Sequence, residues 1–142
     1  MSDALPDNIA ELISDFEFLE GWEDRYMHVI DMGKALPPRE PALKTEATKV
    51  KGCVSQVWLV SERAGDTNPA LRFQGDSDAH IVTGLVAILL LIFSGRKASD
   101  ILKLDAKSIL EKLGLSEHLS PQRSNGLNAM IARIKAEAES LI

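Results

Sequence analysis

The apolar stretch over residues 81–93 limits the possible folds of this chain more tightly than any other segment. Only Thr83 and Gly84 interrupt it, and it is too short for a membrane span, which needs about twenty apolar residues. A helix that is apolar on nearly every side must be covered on every side. We therefore expect a central helix over 81–93, packed against a sheet and against other helices.

Two amphipathic helices are predicted before this segment. Apolar residues recur at spacings of three and four over 9–19 and again over 22–33. Leu36 and the two prolines that follow it end the second helix. Trp22 and Tyr26 lie on the apolar stripe of that helix, and we interpret them as core aromatics.

Three helical segments are predicted after the central one. The basic pair 96–97 stands where it can stabilise the negative end of the central helix. Short helices are expected over 99–103 and 106–113. A regular apolar stripe predicts a long final helix over 127–141, with Ser124 as its N-cap.

Strand-forming residues lie between the second and the central helix. Residues 44–50 contain several β-branched side chains, and residues 54–61 are rich in valine and include Trp58. A turn over 65–69 then precedes a strand over 70–74. We expect Trp58 to belong to the core. The predicted fold class is α+β, a small antiparallel sheet of about three strands with helices packed on one face.

Size and charge narrow the possible functions. A chain of 142 residues with a net charge of −5 fits one domain over 1–142, and its interspersed charges argue against a nucleic-acid surface. The amino terminus has neither a basic start nor an apolar core, so we expect no targeting peptide and a cytoplasmic protein. Three scattered histidines and one cysteine show no metal-ligand spacing, and we expect no bound metal.

Cys53 is the single cysteine of the chain and follows Gly52. Lys49 and Lys51 stand nearby, and positive charge lowers the pKa of a thiol from about 8.5 and so favours the reactive thiolate. If the first two strands pair as a hairpin, Gly52 and Cys53 occupy its tip. The alternative is an inert buried thiol in a non-catalytic adaptor, which is the commoner role of a lone cysteine.

A Cys–His hydrolase or transferase is a second alternative. His80 or His118 would serve as general base, and Asp76 or Asp78 would orient it. The competing interpretation is that both histidines face solvent and that the aspartates cap the central helix.

Residues 52–58, GCVSQVW, resemble the active-cysteine motif of the SufE family. Two further blocks match that family in the same order, over 74–79 leading into 81–85 and over 118–127, and Trp22-Glu23 with Tyr26 matches near the start. The resemblance covers the chain from about Leu5 to about Ala138. It departs from the family at Val54, where many members carry glutamine.

The resemblance implies a sulfur acceptor and carrier that takes persulfide sulfur from a cysteine desulfurase onto Cys53, stimulates that enzyme, and passes the sulfur to an iron–sulfur cluster scaffold. It implies a SufS-type desulfurase and a SufBCD-type scaffold as partners, with pyridoxal phosphate in the desulfurase and no cofactor in this chain. Such a chain is a desulfurase activator rather than a stand-alone enzyme. A paralogous, CsdE-like partner of another desulfurase is the alternative.

The resemblance also bears on the fold and on the supporting residues. It implies kinship with the NifU/IscU scaffold fold. The residues expected to order the cysteine loop or to contact a partner are Gly52, Ser55, Gln56, Asp76, Asp78 and Arg123. Because the chain has one cysteine, a persulfide on it must pass to another molecule.

Overall fold

The computed structural model describes residues 7–19, 21–36, 49–50, 56–63, 65, 67–77, 79–115 and 119–141. In chain order these form the helices and strands α1 (Asp7–Glu17), α2 (Trp22–Lys34), β1 (Val57–Arg63), β2 (Ala70–Ser77), α3 (His80–Phe93), β3 (Arg96–Lys97), α4 (Ala98–Lys103), α5 (Ala106–Lys112) and α6 (Pro121–Glu139).

The sheet is antiparallel, with its strands in the order β1-β2-β3. Strands β1 and β2 pair from Val57↔Ser77 to Arg63↔Leu71, and β3 adds two residues to the far edge of β2, including Leu71↔Arg96. The predicted α+β class with a three-stranded antiparallel sheet is confirmed.

Strand β3 was not expected from the sequence. Gly95 adopts a φ of +84°, which turns the chain after α3 so that the Gly95 amide donates to the Leu71 carbonyl at 2.6 Å. Most of the strand predicted over 44–50 lies outside the described residues. At its described end, Lys49 forms an isolated antiparallel bridge with Trp58.

Helix α3 is the centre of the core, as its composition predicts. Ten of its residues are buried, among them Val86 and Ile88 with no exposed surface. The inner face of the sheet contributes the buried residues Val57, Leu59, Leu71 and Phe73. The alternation of side chains along β1 therefore puts Trp58 on the opposite face, where it is half-buried, so its interpretation as a core residue is wrong.

The two aromatics of α2 pack as predicted. Trp22 and Tyr26 are partly buried against the core, with their rings edge to face at a centroid distance of 6.0 Å.

Several helix ends differ from the sequence-based expectation. Helix α6 begins at Pro121, and Ser120 is its N-cap, accepting from the Arg123 amide at 3.3 Å. Ser124, the predicted cap, lies inside the helix. At the end of α3 the prediction holds, because Arg96 Nε donates to the Ile92 carbonyl at 2.5 Å.

Asp76 lies near the end of β2 rather than at the start of a helix, and Asp78 lies outside the described residues. The N-cap of α3 is Ala79, which makes no side-chain capping bond, and Asp76 pairs with Trp58 across the sheet. The strand continues past Gly75, where a β-carbon would lie 2.6 Å from Val86 Cγ1, so glycine permits this close contact between sheet and helix. Among the described residues, no helix has both the length and the apolar character to cross a membrane.

Candidate functional site

The candidate site is the segment that carries Cys53, and its two ends are described. Gly52, Cys53 and Ser55 lie outside the described residues, as do Asp78 and His118. Residues 49–50 lead into the segment, and Gln56 leads out of it into β1.

The two ends pair with each other. The Val50 amide donates to the Val57 carbonyl at 2.8 Å, and Lys49 bridges to Trp58 in antiparallel register. Val50 is buried at 3% exposure. These contacts join the two ends of segment 51–55. We call the paired residues Lys49, Val50, Val57 and Trp58, together with the adjacent Gln56, the loop stem.

Ser77 ties the outgoing side of the stem to the rest of the fold. Its hydroxyl donates to the Gln56 carbonyl at 2.7 Å and accepts from the Ala79 amide at 3.3 Å. The Ser77 amide in turn donates to Asp76 Oδ1 at 2.8 Å. One serine therefore connects the stem, the end of β2 and the start of α3.

Thr83 adds a second link at the same place. Its hydroxyl oxygen lies 3.3 Å from the Ser77 carbonyl and 3.0 Å from the Ala79 carbonyl, within donating distance of both. The first turn of α3, whose position is fixed by the core, thus holds the end of β2 directly beside the stem.

Arg133 of α6 ties the incoming side of the stem. Its Nη1 donates to the Lys49 carbonyl at 3.3 Å, and its Nε lies 3.5 Å from Glu137 Oε1 one turn along the helix. The stem is therefore attached to two elements of the body, β2 on one side and α6 on the other.

Three of the predicted supporting residues are described. Gln56 is exposed, and it meets Ser77 through its main chain. Asp76 is half-buried on the outer face of the sheet and holds the Ser77 amide, so it is part of the contacts around the stem.

Arg123 is exposed in the first turn of α6. Arg133, which reaches the stem, lies about 15 Å further along the same helix, since each helical residue adds about 1.5 Å. Arg123 therefore lies about three turns before the residue of α6 that contacts the stem.

Sequence reasoning did not single out Ser77, Thr83 or Arg133. Ser77 lies within one of the blocks that match the family, so its position carried a signal, whereas Arg133 has no motif around it. His80 is exposed at the first residue of α3.

Metal clusters and grooves are two other kinds of site that the described ranges could offer. Those ranges contain no cluster of three or more histidine, cysteine, aspartate or glutamate side chains that could hold a metal ion. A groove of about 160 Å³ lies between α5 and α6. Its walls are formed by Lys107, Leu110, Glu111, Leu119, Ser124, Leu127 and Asn128.

Comparison with known proteins identifies the family. The family model described as SufE, Fe-S metabolism associated domain, matches residues 10–138. The chain belongs to the SufE family. Membership links it to iron–sulfur metabolism and, in general terms, to sulfur transfer with a cysteine desulfurase as partner.

Two similar proteins come from rhizobia. The chain is 56% identical over 133 residues to an uncharacterized SufE-like protein of Rhizobium meliloti (strain 1021), covering 93% of this chain and 95% of that protein. It is 55% identical over 133 residues to an uncharacterized SufE-like protein of Rhizobium etli, covering 93% of this chain and 90% of that one.

A solved structure shares the fold. The solution structure of a hypothetical protein from Thermus thermophilus matches with a TM-score of 0.75 and 19% identity, covering 97% of this chain and 98% of that chain. At this identity the likeness concerns the fold alone.

Proposed function

We propose that this chain is a persulfide carrier that accepts sulfur on Cys53 from a pyridoxal-phosphate-dependent cysteine desulfurase and delivers it to an iron–sulfur cluster scaffold. Membership of the SufE family supports the general role. The specific nucleophile is proposed because Cys53 is the single cysteine of the chain.

The transfer is a thiol exchange in which atoms and electrons balance. The Cys53 thiolate attacks the terminal sulfur of the partner's cysteine persulfide, a new sulfur–sulfur bond forms on Cys53, and the partner's bond between its cysteine sulfur and the terminal sulfur breaks. The electron pair of the broken bond leaves on the partner's cysteine as a thiolate. No external oxidant or reductant is needed.

The observation that carries the proposal is the hydrogen bond from the Val50 amide to the Val57 carbonyl at 2.8 Å. It closes the base of a short antiparallel connection, and Cys53 lies in that connection only three residues after Val50. Because one residue spans at most about 3.6 Å, the thiol is tethered close to a fixed base. A thiol tethered to the fixed stem suits transfer into another protein's active site.

The partner assignments are finer parts of the same proposal. We propose a SufS-type desulfurase as donor and a SufBCD-type scaffold as acceptor, with pyridoxal phosphate held by the donor and no cofactor in this chain. A reduced thiol is required at Cys53, which fits action in the cytoplasm. Clearing the desulfurase's product sulfur would raise its turnover.

The direct test is intact-protein mass spectrometry without reductant, after incubation with a cysteine desulfurase and free cysteine. We expect the wild-type chain to gain the mass of sulfur, the gain to be reversed by dithiothreitol, and Cys53→Ser to gain none. Omitting the desulfurase gives the matched control for direct sulfuration in solution.

No gain of mass with a SufS-type or a CsdE-partnering desulfurase would reject the carrier function. A gain with only the second of these enzymes would assign the chain as its paralogous partner. The Cys–His alternative predicts instead that His80→Ala or His118→Ala abolishes a hydrolytic activity. Of these two candidate bases, His80 is exposed at the start of α3 and His118 lies outside the described residues.

A further inference from the structure

The loop stem needs contacts beyond its own pairing to hold a fixed direction. The Val50 to Val57 hydrogen bond and the Lys49 to Trp58 bridge fix the two sides of the stem relative to each other. On the outgoing side, Val57 and Trp58 also pair with Ser77 and Asp76 of β2, which fixes these two residues. Gln56 precedes that register and Lys49 lies on the other side of the stem, so the direction of these two residues depends on contacts with the elements beside them.

Ser77 supplies such a contact on the outgoing side. Its hydroxyl donates to the Gln56 carbonyl at 2.7 Å, the usual distance for a bond of this type. The same oxygen accepts from the Ala79 amide, and the Ser77 carbonyl lies within donating distance of the Thr83 hydroxyl at the start of α3. The stem is thus connected through one residue, Ser77, to the helix at the centre of the core.

Arg133 supplies the contact on the incoming side. Its guanidinium donates to the Lys49 carbonyl at 3.3 Å while its Nε faces Glu137 at 3.5 Å. Glu137 limits the directions that the guanidinium can take. Ile134 and Ala138, buried with no exposed surface, hold this part of α6 against the core.

We propose that Ser77 and Arg133 are positioning residues that hold the loop stem, from which the segment with Cys53 departs, by binding one main-chain carbonyl on either side of it. Neither side chain takes part in sulfur transfer. The consequence for transfer rests on the proposed function, whereas the orientation itself does not.

The expected size of the effect follows from the bonds removed. Losing one side-chain hydrogen bond, or one charged side-chain contact, changes an equilibrium between oriented and unoriented stems by about threefold to tenfold. Transfer into a partner's site needs correct geometry of donor and acceptor sulfur, so its rate should fall by about the same factor.

The orientation can be measured without any desulfurase. A nitroxide attached to Cys53 reports the motion of the segment by electron paramagnetic resonance, and the single cysteine makes the label site-specific. We expect Ser77→Ala and Arg133→Met each to increase the mobile component of the spectrum. Ser77→Thr, which keeps the hydroxyl, should restore the wild-type line shape.

Matched controls exist on the same elements. Ser61→Ala removes a half-buried hydroxyl from β1 opposite Phe73, away from the stem. Lys135→Met removes a cation from α6 whose Nζ donates to the Leu104 carbonyl at 2.7 Å. Both controls should leave the spectrum unchanged, and thermal unfolding of every variant should be recorded so that spectra are compared on folded protein.

The outcomes separate the two proposals. Unchanged spectra in both Ser77→Ala and Arg133→Met would overturn the positioning role, and equal changes in the controls would do so too. If the wild-type chain takes up no sulfur, the carrier function fails while the spectra still decide the positioning role. Should Arg133→Met fail to fold, Arg133→Ala, which also removes the donor and favours the helix, replaces it.

A second readout distinguishes orientation from thiol reactivity. We expect the sulfur-transfer rate at saturating partner to fall by about threefold to tenfold in Ser77→Ala. Alkylation of Cys53 by iodoacetamide, a small reagent that needs no fixed direction, should change by less than about twofold. A parallel fall in both rates would contradict positioning and indicate altered reactivity of the thiol.

Discussion

Gly33 of α2 lies against Gly84 of α3 so closely that a β-carbon on Gly33 would be 2.6 Å from the Gly84 backbone nitrogen. A β-carbon on Gly84 would meet the Val29 carbonyl oxygen and, at 2.6 Å, Val29 Cγ1. Two helices therefore pack backbone to backbone at this crossing. The fully buried α3 is held at a spacing from α2 that leaves no room for side chains.

We expect Gly84→Ala to lower the free energy of unfolding. Overpacking costs about 1–3 kcal/mol, and we expect the upper end of this range because the added methyl group would meet a backbone oxygen. Replacing glycine by alanine inside a helix gains about 1 kcal/mol, which is smaller than this cost. Urea denaturation measures this change in the free energy of unfolding. Gly65→Ala, where a β-carbon would meet nothing within 4 Å, should change stability by less than about 0.5 kcal/mol, and equal effects at the two positions would contradict the close crossing.

The conformation of Gly95 can be tested separately by substitution. Its φ of +84° places it in the left-handed region, although a side chain there would meet nothing within 4 Å. Gly95→Ala should therefore cost about 1–2 kcal/mol through the backbone alone, and Gly95→Asn should cost less because asparagine tolerates this region. Chemical denaturation of the pair measures the difference. If the two variants are equally stable, the backbone explanation is wrong.

Substituting Ser120 and Ser124 in turn tests which of them caps the start of α6. Ser120→Ala removes the acceptor of the Arg123 amide and should cost about 0.5–2 kcal/mol. Ser124→Ala, inside the helix, should be close to neutral because alanine is the better helix former. Thermal unfolding of both variants gives the comparison, and a larger loss at Ser124 would restore the start predicted from the sequence.

The pH dependence of Cys53 alkylation tests the electrostatic environment of the thiol. Only the thiolate reacts, so the rate should rise with pH through the pKa of Cys53, and neighbouring lysines should place that pKa below about 8.5. Lys49→Gln should move the midpoint up, while Lys34→Gln at the exposed end of α2 should not. A wild-type midpoint at or above the free-thiol value would show that the lysines do not act on Cys53.

The long helices were predictable because the spacing of their apolar residues shows which side chains face the core. Helix α3 was expected over 81–93 and runs from His80 to Phe93. The apolar stripe of α6 was found too, but its first turn is polar and carries no stripe. The start was therefore assigned to Ser124 instead of Ser120.

The sheet was less predictable because parts of it depend on contacts rather than composition. Strand β3 has two residues, both basic, and no alternation could reveal it. It exists because Gly95 directs the chain back onto Leu71. Likewise Asp76 was assigned to a helix start, since nothing in the sequence shows that pairing with β1 continues to Ser77.

The contacts around the candidate site were largely hidden for a similar reason. Ser77 and Arg133 reach the stem through main-chain carbonyls, and every residue has a carbonyl, so no pattern marks the acceptor. What the sequence did carry was the cysteine motif itself and its resemblance to the SufE family.

The contact between Arg133 and the Lys49 carbonyl joins residues 84 positions apart. During synthesis the chain emerges amino terminus first, so the segment with Cys53 leaves the ribosome well before the helix that holds its incoming side. A nascent chain can thus expose the thiol before its surroundings are complete. Completion of the stem therefore depends on the translation of α6. An incomplete polypeptide that ends before α6 would lack the contact between Arg133 and the Lys49 carbonyl.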